Sequence, residues 1–135
     1  MKPQRVWQFV LVIYAIILGL ISGAAYTGHL HVAAIVGKSQ ADKLIHFVLL
    51  GGASFLARRA TGDARMRWMN LPVGSFAVGA LASIDEFAQA FSPLRTFDLG
   101  DLAANLGGVV VFGWLAGTRL LGGPASDRST TNRLS

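Results

Sequence analysis

The chain has 135 residues, of which 53% are hydrophobic and 14% charged, with 12 lysines and arginines, 7 aspartates and glutamates, and a net charge of +5. Ordinary soluble domains carry about 25% charged residues, and this length allows one small domain. The basic residues are scattered between apolar runs, which argues against nucleic-acid binding. The absence of cysteine excludes disulfides and thiol nucleophiles. The composition therefore predicts a small all-α integral membrane protein.

Four apolar segments follow one another along the chain. Residues 6–25 form a 20-residue run without a charge, long enough to cross a hydrocarbon core of ~30 Å. A secretory signal peptide is the alternative for this run, because Lys2 and Arg5 precede it, but its apolar part exceeds the ~7–15 residues usual in signal peptides. The further predicted spans are 44–57, 72–91 and 102–121. We expect a four-transmembrane-helix bundle over residues 1–121 and a disordered cytoplasmic tail over 122–135.

The basic residues predict the orientation of this bundle. Four spans place both termini on one side, and cytoplasmic loops are enriched in lysine and arginine. With both termini in the cytoplasm, three basic residues face outward, namely Lys38, Lys43 and Arg95. The other nine face the cytoplasm, namely Lys2, Arg5, Arg58, Arg59, Arg65, Arg67, Arg119, Arg128 and Arg133. The sequence therefore predicts a multi-pass protein of the bacterial cytoplasmic (inner) membrane. The loop arginines act as a topology signal or as a specific site for lipid headgroups.

In this orientation the polar residues of the spans collect in one layer near the outer surface. Five of the seven acidic residues lie there. The layer contains Asp42, Lys43, His46, Asp85, Glu86, Gln89, Arg95, Asp98, Asp101 and Asn105. An ionisable group inside a membrane costs about 2.5–3.5 kcal/mol on insertion scales, so this accumulation indicates a function for the layer.

Helical spacing predicts that these polar residues face one another. At 100° per residue, one face of the third span consists of Ser75, Gly79, Ala82, Glu86 and Gln89, and the opposite, lipid-facing side of Val73, Ala77, Ile84, Phe87 and Phe91. The corresponding faces of the other two spans contain Asp101, Asn105 and Gly108, and Asp42, His46, Leu49 and Ala53. We expect one polar pocket, open to the outside.

Several of these features have a simpler interpretation. Helix capping alone is an alternative for Asp98, and for Asp42 together with Ser39. His29 and His31 are interpreted as solvated residues. The spacings Gly19-x-x-x-Gly23 and Gly113-x-x-x-Gly117 predict close helix contacts, either within the bundle or in a dimer, so the oligomeric state stays open.

Three polar blocks resemble the VanZ-like family of small bacterial membrane proteins. They are Asp42-Lys43-x-x-His46-Phe47, Asp85-Glu86-x-x-Gln89 and Arg95-x-x-Asp98-x-x-Asp101-x-x-x-Asn105-x-x-Gly108. The resemblance covers roughly residues 40–113, and its specificity lies in the spacing of all three blocks. It implies a cell-envelope protein linked to low-level antibiotic resistance, since the founding member is associated with resistance to the glycopeptide teicoplanin. Asp85 lies where the family pattern is less strict.

Three hypotheses for the pocket remain open. In the first, it binds or acts on a lipid-linked or phosphate-bearing envelope substrate, with His46 or Glu86 transferring a proton and the substrate bound by Lys43, Gln89, Arg95, Asp98, Asp101 and Asn105. In the second, a divalent metal is held by Asp42, His46, Glu86 and Asp101. In the third, the residues form a structural ion-pair network in an accessory protein, with Glu86 paired to Arg95 or Lys43. No recognised nucleophile motif decides for an enzyme.

Overall fold

The computed structural model describes residues 3–28, 40–62 and 64–118. This part of the chain contains four helices and no strand: α1 (Pro3–Tyr26), α2 (Gln40–Thr61), α3 (Val73–Gln89) and α4 (Leu99–Ala116). Helices α1 and α4 are long and apolar enough to cross a membrane, whereas α3 has 17 residues and α2 carries charges near both ends. The all-helical prediction is confirmed.

The helix boundaries differ from the apolar spans by a few residues, for local reasons. Helix α4 begins three residues before its predicted span, because the Asp98 side chain caps it by accepting a hydrogen bond from Gly100 N at 2.6 Å. Asp98 therefore caps α4, but it also lies 3.4 Å from Lys43 Nζ, so capping is not its only contact. Helix α2 extends through the charged residues at both ends of its apolar segment. A turn of residues 64–72 separates α2 from α3, closed by a bond from Met66 N to Leu71 O, with Asn70 in the left-handed region.

Successive helices run in opposite directions. The start of α1 meets the end of α2, where Gln4 Nε2 donates to Ala60 O at 3.1 Å. The end of α1 meets the end of α3, where Tyr26 Oη donates to Asp85 O at 3.1 Å. Helix α2 lies at the centre and contacts the three other helices. The end of α2, the start of α3 and the end of α4 thus form one end of the bundle, which we call the arginine end after Arg58 and Arg65.

Small residues allow α2, α3 and α4 to approach closely. A Cβ atom on Gly108 of α4 would overlap the backbone carbonyl of Phe47 in α2. A Cβ atom on Gly74 of α3 would overlap the backbone of Ala57 in α2. Between the three helices the Ser54 and Ser75 hydroxyls are 2.9 Å apart, and Ser54 Oγ donates to Val109 O at 2.8 Å. This core has small side chains, with Ala53, Ala57, Ala60, Ala82, Val109 and Ala116 as its buried apolar members.

The predicted helix faces agree with the observed burial. The buried residues of α3 are Gly74, Ser75, Gly79, Ala82, Glu86 and Gln89. Its opposite side is exposed, including Ile84 and Phe87. Asp101, Asn105 and Gly108 are buried on α4. On α2, Ala53 is buried, while Asp42, His46 and Leu49 are half-buried. The 3.6-residue period therefore identified the inner faces correctly.

The two glycine spacings have different outcomes. Gly113 lies against the hydroxyls of Ser75 and Ser54, and Gly117 lies against the Arg58 guanidinium. These contacts confirm a close approach within the bundle. Added Cβ atoms at Gly19 and Gly23 would meet nothing within 4 Å, so this pair makes no close helix contact in the single chain.

Candidate functional site

The polar residues of α2, α3, the α3–α4 loop and α4 meet at the end of the bundle opposite the arginine end. We call this group the polar cluster: Asp42, Lys43, His46, Asp85, Glu86, Gln89, Arg95, Asp98, Asp101 and Asn105. The antiparallel course of the helices brings it together, because α2 and α4 begin where α3 ends. The cluster includes four buried side chains, namely Glu86, Gln89, Asp101 and Asn105.

Lys43 lies between two carboxylates of α4: that of Asp98, which caps the helix, and that of Asp101 in its first turn. Its Nζ is 3.1 Å from Asp101 Oδ1 and 3.4 Å from Asp98 Oδ2. The hydrogen bond to Asp101 is the main cause that raises the Lys43 pKa above its ordinary value. The Gly100 N–H, followed by the Lys43 charge, lowers the pKa of Asp98. Both groups are therefore charged at neutral pH.

Glu86 is fully buried and both of its oxygens have donors. Oε1 accepts from the backbone N–H of Asp98 at 3.1 Å, and Oε2 accepts from Gln89 Nε2 at 3.2 Å. Glu86 thus ties the residue that caps α4 to the end of α3. Gln89 Nε2 also lies 3.3 Å from Asp85 Oδ2. The sequence identified Glu86 as an inward residue, but its partner is a backbone amide, which no side-chain pattern reveals.

His46 lies at the mouth of the cluster, with 17% of its side chain exposed. Its Nδ1 is 3.1 Å from Asn105 Oδ1, and its Nε2 is 3.9 Å from Asp42 Oδ1. An N–H on Nδ1 would donate to the Asn105 amide oxygen, and an N–H on Nε2 would face the Asp42 carboxylate. His46 is thus half-buried, whereas Glu86 is fully enclosed.

Three of the four predicted metal ligands lie together. One oxygen each from Asp42 and Asp101 and one nitrogen from His46 lie within 4.8 Å of one another. Glu86 does not belong to this group, because its oxygens bind Asp98 N and Gln89. A carbonyl-type oxygen on the second ring nitrogen, here from Asn105, is the arrangement that orients a histidine ligand. Lys43, which bonds to Asp101, is a competing positive charge in the same place.

Within the cluster, Arg95 stacks over the Tyr26 ring, with its Cζ 5.3 Å from the ring centroid. Within the described residues no carboxylate lies within the 4.0 Å that defines an ion pair with Arg95. The expected pairing of Glu86 with Arg95 or Lys43 is likewise not formed there. The phosphate-binding role predicted for Arg95 stays a prediction.

Tyr26 is a member of this region that the sequence analysis missed. Its hydroxyl donates to the backbone and side-chain oxygens of Asp85, at 3.1 and 3.2 Å. The available signal was its position at the end of a long apolar run, where tyrosine places a polar tip at an interface. His29, His31 and Ser39, with the capping pattern that includes Ser39, lie outside the described residues, as do Arg119 and the predicted tail.

Comparisons with known protein families, with characterised proteins and with solved structures found no match to this chain. The resemblance to VanZ-like proteins therefore stays a prediction that depends on the spacing of the three polar blocks.

Proposed function

We propose that the chain is a VanZ-like, multi-pass protein of the bacterial cytoplasmic membrane, with four spans and both termini in the cytoplasm. What supports this placement is the number of large apolar side chains that are exposed on the described helices. They include Phe9 (63% exposed), Leu20 (68%), Leu81 (67%) and Trp114 (67%). Large exposed apolar areas are uncommon on soluble monomers and are typical of surfaces that contact membranes or partners. The bias of lysine and arginine then puts the polar cluster in the outer leaflet.

Within that placement, the polar cluster binds a phosphate-bearing headgroup of a lipid-linked envelope substrate. The observation that carries this proposal is the concentration of buried polar side chains at one end of an otherwise apolar bundle. Arg95, with no carboxylate partner among the described residues, supplies a planar donor for phosphate. Lys43 supplies a second positive charge, although Asp98 and Asp101 neutralise much of it.

The geometry favours different roles for the two residues first considered as proton carriers. His46 is partly exposed and has a ring nitrogen directed toward Asp42, so it exchanges protons with a bound substrate. Glu86 is enclosed and has two internal donors, so it positions the Asp98 loop. The link to glycopeptide (teicoplanin) tolerance enters this proposal only through the family resemblance.

The test is native mass spectrometry of the protein in mild detergent, titrated with a polyprenyl phosphate and, separately, with inorganic phosphate. We expect Arg95→Gln to bind the polyprenyl phosphate at least about tenfold more weakly, because a charged hydrogen bond contributes about 1.5–3 kcal/mol. The matched control is Arg67→Gln, which removes an exposed arginine near the opposite end. Equal binding by all three proteins contradicts the proposal, and competition by inorganic phosphate identifies the phosphate as the recognised group.

A second candidate function is divalent-cation binding, favoured by the juxtaposition of Asp42, His46 and Asp101. Carboxylate and imidazole ligands suit Mn²⁺ or Zn²⁺. The variant Lys43→Met separates the two proposals, because removing the ammonium weakens phosphate binding and strengthens cation binding. Titration of the wild type and Lys43→Met with Mn²⁺ and, separately, with polyprenyl phosphate measures the affinity of each protein for each ligand.

A third outcome would support a structural or accessory role for the polar cluster. In that case Glu86→Gln, His46→Ala and Arg95→Gln lower the melting temperature, and none changes the affinity for the phosphate or Mn²⁺ probe. The loss of the hydrogen bonds of Glu86 and His46, and of the stacking of Arg95 on Tyr26, is sufficient to explain such a result.

A further inference from the structure

A cleft of about 780 Å³ lies between α3 and α4, apart from the polar cluster. Its walls are mostly apolar, with Phe76 and Ala80 on α3 and Leu106, Val110 and Trp114 on α4. Its volume falls within the range of about 300–1,000 Å³ that is usual for ligand sites.

Two basic side chains, Arg58 and Arg65, line this cleft. Both belong to the arginine end, at the end of α2 and in the turn that follows. Among the described residues that line the cleft there is no aspartate or glutamate. An anion at this mouth therefore lies near two guanidinium groups.

The two guanidinium groups are held in place by backbone oxygens. Arg58 Nη1 donates to Gly113 O at 2.7 Å, which fixes it against the end of α4. Arg65 Nη1 donates to Asn70 O at 2.9 Å, across the turn in which Asn70 has a φ of 51°. Groups ordered before binding lose less entropy when a ligand arrives.

The length of the cleft matches one leaflet of a bilayer. Along α3 its lining runs from Pro72 to Ser83, which is about 16 Å at the helical rise. Half of a hydrocarbon core is about 15 Å thick. A transmembrane helix from a partner would need a groove along the whole span, whereas an acyl chain needs one leaflet.

We propose that this cleft holds one acyl chain of an anionic phospholipid from the cytoplasmic leaflet, with the phosphate at Arg58 and Arg65. The inference depends on the membrane placement proposed above, but not on a ligand in the polar cluster. Lipid tails are as apolar as the cleft walls, so the walls distinguish ligands by their shape rather than by their apolarity. The arginines favour lipids with a negatively charged headgroup.

The test uses the protein in nanodiscs of phosphatidylcholine and phosphatidylglycerol, released into native mass spectrometry to count the lipids that stay bound. We expect Arg65→Gln to retain at least about tenfold less phosphatidylglycerol, because a hydrogen bond to a charged group contributes about 1.5–3 kcal/mol. Ala80→Trp, which fills the cleft, should remove the retained lipid of either headgroup.

Matched controls keep the result interpretable. Arg67→Gln removes an exposed arginine of the same turn that does not line the cleft, and Ala77→Trp adds an indole on the exposed side of α3. Both should retain phosphatidylglycerol as the wild type does. Equal loss in Arg67→Gln and Arg65→Gln, or no loss in Ala80→Trp, overturns the proposal.

Two further outcomes are decisive. A protein that retains no lipid but appears as two subunits, and as one subunit in Ala80→Trp, assigns the cleft to a second copy and overturns the lipid proposal. A chain found outside the membrane fraction contradicts the membrane placement itself, which separates that failure from failure of the lipid site.

Discussion

Helix α1 and the unit of α2, α3 and α4 differ in how their side chains are placed. Helix α1 has no buried residue, although it is one of two described helices that are long and apolar enough to cross a membrane. All buried residues of the described chain lie in the other three helices. Helix α2, at their centre, carries charges near both ends and is less apolar than α1 and α4. The most apolar helix is therefore the most exposed one, whereas the central helices carry small residues and paired polar groups at their contacts. This is the distribution expected of the membrane bundle proposed above.

The largest effect is expected where the three-helix unit is tightest. A Cβ atom on Gly108 would overlap the Phe47 carbonyl, so Gly108→Ala forces α2 and α4 apart. We expect a loss of at least about 1–3 kcal/mol of stability, seen as a lower melting temperature in detergent. The neighbouring Gly107→Ala is the control, because its Cβ would meet only the Phe47 ring, at 3.6 and 3.7 Å. Equal melting temperatures would show that α2 and α4 do not depend on this approach.

Glu86→Gln tests the polar end of the same unit. An amide at this position keeps one acceptor but turns its NH₂ group toward either the Asp98 N–H or the Gln89 NH₂ group. We expect a cost of about 1–3 kcal/mol for the unsatisfied buried donor, measured by thermal unfolding. Asp85→Asn, on the half-buried flank, should cost less. The reverse order would contradict the positioning role given to Glu86.

The contact of α1 with the unit should be weaker. Tyr14 Oη donates to Leu49 O at 2.9 Å, in a part-buried position between α1 and α2. Tyr14→Phe should lower stability by about 0.5–1.5 kcal/mol, as for an ordinary hydrogen bond. Phe9→Tyr, which adds a hydroxyl on the exposed side of α1, serves as a control. A loss as large as that of Gly108→Ala would place α1 within the cooperative core.

The smallest effect concerns the partly exposed Lys43 and Asp98, and it depends on pH. The lowered pKa of Asp98 stabilises the fold above the ordinary value of 3.8, and this contribution is lost as pH falls through the folded-state pKa. The raised pKa of Lys43 stabilises the fold below 10.5, and this contribution is lost as pH rises through the folded-state pKa.

Melting temperatures of the wild type and Asp98→Asn across this range measure the effect. Asparagine still caps α4, so the variant should lose the acid limb of the profile and keep its helix. An unchanged acid limb would assign it to another carboxylate.

The sequence predicted the inner faces but not the contacts between them. Spacing placed Glu86, Gln89 and Asn105 on inward faces, because each lies on the same side of its helix as small residues, at intervals of three or four residues. Spacing does not give the distance or rotation between two helices. Spacing therefore did not predict the hydrogen bond that Asp98 N–H donates to Glu86, or the one that Arg58 donates to Gly113 O. Tyr26 was missed because a single aromatic residue at the end of an apolar run has no period.

The separation in sequence between the partners of the polar cluster has a consequence for biosynthesis. Asp101 and Asn105, the partners of Lys43 and His46, lie 58 and 59 residues further along the chain. At about 5–20 residues per second, the ribosome makes them about 3–12 s after it has made Lys43 and His46. In the membrane placement proposed above, an inserting α2 must keep its polar end at the membrane surface or against the translocation machinery during that interval, whereas α1 can enter the bilayer alone.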